Sequence, residues 1–279
     1  MLTDQTTLQD LSINGKGENK VFEKLCLTVT VRGRQQLQHD FNSPLETAKE
    51  IKDVQQAIKF IGKHLNNWDI YISNGTLMVI ERFLDTAVNP LPSRPNEYTA
   101  MSYKLFSGSD FSLTKYSIRH CFDFLKGLQL LVNKLNTDDC PVVLKEHLIH
   151  AESLLNKQEF EVIWKKKEAS DLTKSQMLGL AWYLKHQFKR PLFTLMDIYA
   201  RLDAWYGMAK AVEQYDLCFP EITESDFPFI EVKGLYHLLL AQPVAYDISL
   251  NEKQNFLFLT GANMAGKSTF IKATGIALF

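Results

Sequence analysis

Along residues 21–215 apolar side chains recur at spacings of three and four, the period of helices with one buried face. Val21, Phe22, Leu25, Leu27, Val29, Val31 and Leu37 form a mixed pattern that predicts two short helices broken near Thr28 or Thr30. Ser43-Pro44 interrupts it, and Pro44 is placed to open the next helix, where a missing N–H does no harm. Residues 45–65 carry Ile51, Val54, Ala57, Ile58, Ile61 and Leu65 on one face of that helix. Residues 70–84 predict another, weakened by Gly75, and three prolines within residues 89–95 mark a loop. Phe122, Leu125, Leu128, Leu131, Val132 and Leu135 predict a helix over 112–135, and Pro141 starts one running to Leu155. Thr173 and Gln176 have capping-box separation and open a helix to Phe188. Pro191 begins the helix expected to be the longest. Its stripe of Leu192, Leu195, Met196, Tyr199, Leu202, Tyr206, Ala209 and Val212 reads as core packing rather than as a partner-binding face. Ahead of all this, residues 1–17, with Ser12, Asn14, Gly15 and Gly17, read as a loop-rich lead with little to bury.

Near Pro220 the texture changes. Residues 227–232 and 256–260 are short, apolar and strand-favouring, and 262–279 reads as a helix start followed by a helix. The chain is expected to be mainly α, with a flexible lead over 1–17, a helical domain over 18–219, and the opening of an α/β domain over 220–279.

Composition narrows the function classes. The 279 residues are 46% hydrophobic and 23% charged, with a net charge of -1, as in ordinary soluble globular proteins. A whole-chain basic charge that would draw in nucleic acid is absent, which leaves room for a local basic face. Cys26, Cys121, Cys140 and Cys218 are far apart with no CxxC pair, favouring free thiols in a reducing cytosol over zinc or disulfides. Residues 1–20 lack the apolar core of a signal peptide, and no run of about eighteen apolar residues spans a membrane. A cytoplasmic protein is expected.

One motif carries chemistry. Phe256-Leu257-Phe258-Leu259-Thr260 leads into Gly261-Ala262-Asn263-Met264-Ala265-Gly266-Lys267-Ser268-Thr269, the GxxxxGK[ST] pattern with strand before and helix after. Gly261 and Gly266 let the backbone turn so that successive N–H groups point inward, and the helix N-terminus adds positive potential for phosphates. Lys267 reaches the β and γ phosphates, the Ser268 hydroxyl ligates Mg²⁺, and Thr269 supports the α-phosphate side. The nucleotide is expected to be ATP. Hydrolysis needs a carboxylate on a later strand, and no Asp or Glu follows Thr269. The chain is therefore expected to be a fragment of a longer protein, without turnover and with weak nucleotide binding at most.

The stretch from Thr260 to Thr269, with Asn263-Met264 inside the loop, resembles the MutS family of DNA mismatch repair ATPases, usually TGPNMxGKST. Ala262 stands where the family has proline. Val21-Phe22-Glu23-Lys24-Leu25 with Thr30, Gly33 and Leu37 is similar to the family's core-domain entry, T-x-x-G-x-x-x-L. Ser43-Pro44 with Ile51, Gln55 and Ile58 is similar to the family's next segment. Leu202-Asp203, Ala209, Tyr215 and Pro220 resemble the returning lever helix. Glu231, Gly234, His237, Leu239-Leu240, Pro243-Val244 and Asp247 resemble the approach to the nucleotide. The resemblance implies a helical core and lever domain like the family's domain III, followed by the start of a P-loop ATPase domain. It implies ATP and Mg²⁺, a homodimer in the intact protein, and DNA as partner with no membrane.

Val244, Tyr246 and His237 join the candidate nucleotide-binding residues. Tyr246 replaces the family's Asn near adenine; it either stacks on a base or, as favoured here, packs on the sheet edge. His237, followed by Leu238 where the family has proline, is either near nucleotide or a hydrogen-bonded structural histidine. The family's mismatch-reading domain would precede the core, where only about twenty residues stand, so the usual mismatch wedge is not expected. A second functional reading is an ATPase interaction module that dimerises and binds protein without nucleic acid. His147 and His150, beside Glu146 and Glu152, have metal-like spacing without a third ligand and read as a solvated helix face. Trp164-Lys165-Lys166-Lys167 reads as surface before it reads as a phosphate contact.

Overall fold

A computed structural model describes residues 5–13, 20–68 and 72–279. The helices are α1 (Gln5–Asp10), α2 (Val21–Leu25), α3 (Val31–Asn42), α4 (Ala48–Lys63), α5 (Asn74–Asp85), α6 (Glu97–Phe106), α7 (Gly108–Leu135), α8 (Val142–Leu155), α9 (Glu161–Trp164), α10 (Lys174–His186), α11 (Lys189–Tyr215) and α12 (Lys267–Leu278). Two strands, β1 (Ile230–Leu235) and β2 (Tyr246–Leu250), lie between α11 and α12. The described residues are mainly α, as expected.

Side-chain caps set the helix starts. Thr30 accepts from the Gly33 N–H at α3, and Ser73 from the Thr76 N–H at α5. Thr47 with Glu50, Asn96 with Thr99, and Thr173 with Gln176 form reciprocal capping boxes at α4, α6 and α10. The break expected near Thr28 or Thr30 is therefore real, and Thr30 makes it. Pro44 does not open α4: the Thr47–Glu50 box captures the first orphan N–H groups three residues later, a stronger start signal than a proline's fixed φ. The same kind of box makes α6, which its short apolar pattern did not announce. The predicted helix start at Ile70 lies outside the described residues, as do Asn14, Gly15 and Gly17. Helix α11 has 27 residues and α7 has 28, so α11 is not the longest.

Both long helices, each about 40 Å at 1.5 Å per residue, run through one core. Leu192, Leu195, Met196, Tyr199, Leu202 and Ala209 of α11 are buried, which makes the apolar stripe core, and Tyr206 packs against it. Ile198, Ala200, Ala204, Trp205 and Ala211 are buried as well, because α11 is flanked by α3, α4 and α8. Trp68 stacks on Tyr206 at 4.2 Å, and Phe124 meets Tyr199 edge-on.

The lead and the C-terminal part differ from expectation. Residues 5–10 are helical and Ile13 is fully buried, because Leu8, Leu11 and Ile13 pack with Leu25, Ala211 and Leu238. The first strand is shifted from 227–232 to β1, and its partner is the unforeseen β2, paired antiparallel as Ile230 with Leu250 and Val232 with Ile248. A one-residue bulge lies between Val232 and Leu235, where the Gly234 N–H donates to Asp247 Oδ1 at 2.8 Å. Residues 256–260 are not a strand: among the described residues nothing pairs with them, and Phe256, Leu257, Phe258 and Leu259 are exposed. An apolar run takes strand form from ladder partners and covering layers, and its composition does not report whether these are present.

Candidate functional site

Residues 261–266 form a turn that feeds directly into α12, whose first turn carries 267–269. Gly266 is the N-cap in the left-handed region, with φ 87°, a conformation that costs a side-chain-bearing residue steric strain. Met264 is also left-handed, with φ 67°, and projects fully into solvent. The Ala265 N–H donates to the Ala262 carbonyl at 3.2 Å, and the Phe270 N–H to the Gly266 carbonyl at 2.9 Å. Lys267 is the first residue of α12. Its Nζ donates to the carbonyls of Gly261 at 2.5 Å and Ala262 at 2.6 Å, so the ammonium is folded into the loop. Asn263 and Ser268 are exposed and Thr269 is half-buried on the first turn. A loop with one cation inside it and free amide groups at a helix start suits an anion.

Two other candidates flank the helix rather than the loop. Tyr246 donates its hydroxyl to the Phe270 carbonyl at 2.9 Å and lays its ring on Phe270 at 4.4 Å, so it packs on α12 rather than on the sheet edge expected from sequence. The Thr274 hydroxyl donates to the same carbonyl. His237 is buried, and its Nδ1 accepts the Leu239 N–H at 3.3 Å, which gives the neutral ring its proton on Nε2. Burial, then the charge of Lys272 on α12, holds His237 below the usual histidine range. Phe270 and Lys272, missed in the sequence, both stand on the helix that the motif opens. Val244 stands exposed between the strands.

The segment around His237 ties this region to the helices. Lys24 of α2 donates to the Leu238 carbonyl at 2.5 Å and lies over the Tyr215 ring. The Tyr236 hydroxyl donates to the Tyr215 carbonyl at 3.0 Å, and Ile276 and Phe279 pack with Leu238 and Ile13. A second junction sits further along α11. Buried Asp203 accepts from the Val29 N–H and the Thr30 N–H, each at 2.8 Å, and from the Thr30 hydroxyl at 2.6 Å. Burial raises its pKa, and the three hydrogen bonds oppose the rise. Arg32 reaches Glu81 of α5 and Asp197 of α11 beside it.

No family model matches the chain. Curated relatives do. The DNA mismatch repair protein MutS of Thermotoga maritima is 28% identical over 160 residues, 54% of this chain and 20% of that protein. MutS of Parabacteroides distasonis is 27% identical over 173 residues, 57% of this chain and 20% of that protein. MutS of Fusobacterium nucleatum is 28% identical over 173 residues, again just over half of this chain. These matches, with their consistent naming across bacteria, support the MutS family for this chain. It spans about a fifth of the length of the MutS proteins it matches. Human MutS protein homolog 4 is 34% identical over a shorter stretch of 86 residues.

The weaker constellations lead elsewhere. His147 packs edge-on against Trp205 at 5.5 Å, and burial followed by Arg201 lowers its pKa, while His150 is exposed. Among the described residues no group of three or more His, Cys, Asp or Glu is arranged to hold a metal. Lys165 pairs with Glu161 at 2.6 Å, and Lys126 donates to the carbonyls of Lys166 and Lys167. Cys26, Cys121, Cys140 and Cys218 are free thiols, and burial pushes Cys121 up to about 12. No helix among the described residues is long and apolar enough to cross a membrane.

Proposed function

We propose that the chain supplies the helical core and the nucleotide loop of a cytoplasmic MutS-type ATPase, in which ATP binding is coupled to movement of the helices and to DNA binding. On this reading 18–219 is the core and lever domain, 1–17 its lead, and 220–279 the first part of the P-loop ATPase domain. The observation that carries it is the Lys267 ammonium held inside the 261–266 turn at the head of α12. An entering triphosphate exchanges the two carbonyl acceptors for its β and γ oxygens. The backbone N–H groups of Ala262, Asn263, Met264 and Gly266 line the cradle, and the Ala265 N–H exchanges the Ala262 carbonyl for a phosphate oxygen. Ser268 contributes its hydroxyl to Mg²⁺ and Thr269 closes the α-phosphate side. Val244 borders the base, while Tyr246 and His237 act by holding α12. The helix passes any displacement through Ile276 and Phe279 to the Leu238 cluster, and so to α2 and the end of α11. Hydrolysis and homodimerisation belong to the intact protein.

A reading without nucleic acid, as a dimerising module that binds protein, draws on the net charge of -1. The two separate in one experiment: gel shifts of the intact protein with homoduplex, mismatched and four-way-junction DNA, with and without Mg-ATP, at two salt concentrations. The proposal expects salt-sensitive binding that ATP changes severalfold. No binding at either salt sinks the DNA part and leaves the interaction module.

A further inference from the structure

Three of the groups that the nucleotide loop offers, the Lys267 ammonium and the hydroxyls of Ser268 and Thr269, stand on the first turn of α12, so their aim is the aim of that turn. The next residue closes it. The Phe270 N–H donates to the Gly266 carbonyl at 2.9 Å, the first ladder bond of the helix, while the Phe270 carbonyl accepts from the Tyr246 hydroxyl at 2.9 Å. One residue thus stands between the last glycine of the loop and β2. Tyr246 opens β2 opposite Leu235, just past the bulge, and the carboxylate of its neighbour Asp247 accepts from the Gly234 N–H at 2.8 Å, which fixes the strand where it bends. A bulge re-aims the side chains beside it. Here the Tyr246 ring lies on the Phe270 ring, with centroids 4.4 Å apart and planes inclined by 30°.

The Tyr246 bond is surplus to the folding of α12 itself. A helical carbonyl at this position already takes the ladder N–H four residues on, and the Thr274 hydroxyl adds a second donor to it at 2.9 Å. What the third donor supplies is a fixed direction between sheet and helix. His237, the other candidate on this side of α12, uses its Nδ1 on the Leu239 N–H and does not duplicate the bond. On the nucleotide-binding reading of the loop, we propose that Tyr246 is a positioning residue for the phosphate chain. Its hydroxyl sets the tilt of the first turn of α12, and with it the aim of Lys267 and Ser268, without touching the base of the nucleotide. With ring and hydroxyl both engaged on Phe270, Tyr246 is turned toward the helix and is not free to stack on adenine.

Titration calorimetry of the 279-residue chain and of Tyr246→Phe tests this, with Mg-ATP and with Mg-tripolyphosphate, which has no base, and with urea unfolding as the fold check. The substitution keeps a ring on Phe270 and removes only the hydroxyl, and Thr274 still serves the carbonyl, so the urea midpoint is expected to stay at the wild-type value. Kd is expected to rise about 3–10-fold for both probes alike, the fold-change of one net hydrogen bond. A rise for Mg-ATP alone would make Tyr246 a base contact, and no rise for either probe would make its bond to α12 idle; each overturns the proposal. Hydrogen exchange at the Phe270 amide separates these outcomes from a failure of the loop to bind nucleotide at all. If the wild type binds neither probe, severalfold faster exchange in Tyr246→Phe still supports the hydroxyl as what sets the first turn, and equal exchange overturns it.

Discussion

Gly33 shows how one residue fixes the geometry around it. A Cβ there would lie 2.1 Å from Asp203 Oδ2 and 2.6 Å from its Cγ. That carboxylate cannot swing aside, because three donors from Val29 and Thr30 hold it in a fully buried site. The T-x-x-G spacing has a double reason: Thr30 caps α3 and binds Asp203, and position 33 must let α11 come close. Gly33→Ala is expected to lower stability by about 1–3 kcal/mol, the range for steric intrusion into a packed site. Urea unfolding of the variant checks it. A wild-type midpoint would mean the junction is loose. The same residue-level economy explains Lys267, whose ammonium takes loop carbonyls at 2.5 and 2.6 Å as its acceptors.

Among the elements, the long helices are legible in the sequence because each buries a stripe at helical period. The α11 stripe from Leu192 to Ala209 is core, and the Thr173–Gln176 box sits where its spacing put it. What stayed hidden was decided by partners. Helix α1 exists beside a cluster whose members, Ala211 and Leu238, are far along the chain. Strand β2 was obscured because its inward face, Tyr246 and Ile248, alternates with polar residues in too short a run, and its pairing with β1 passes through a bulge. The apolar run 256–260 looked more like a strand than β2 does, yet it lacks a partner among the described residues. At the candidate site the loop, its lysine and the following helix were legible as a motif. The contacts of Tyr246 with Phe270, and of His237 with Leu239 and Lys272, were not, because they join segments that share no pattern.

Across the whole molecule, three histidines set a common pH response. Burial is the leading cause that lowers His120, His147 and His237. A histidine depressed in the folded state takes up its proton first in the unfolded chain. Its stabilising contribution is therefore present above the ordinary value of about 6.5 and is lost as pH falls through the folded values. Urea midpoints measured at about pH 7.5 and about pH 5.5, on either side of that value, are expected to fall with pH, and to fall less in His237→Gln than in the wild type. Equal falls would show that His237 is not held neutral. The molecule also links its loop to its helices through α12, the Leu238 segment and Lys24, a path of direct contacts. That path matters only if the loop takes a triphosphate. Equilibrium dialysis of the 279-residue chain with Mg-ATP, beside Lys267→Ala, is the most direct test. The account predicts weak saturable binding, with Kd of about 0.1–1 mM, reduced at least about tenfold in the variant, as loss of a direct charged contact implies. Equal binding by both proteins would contradict it.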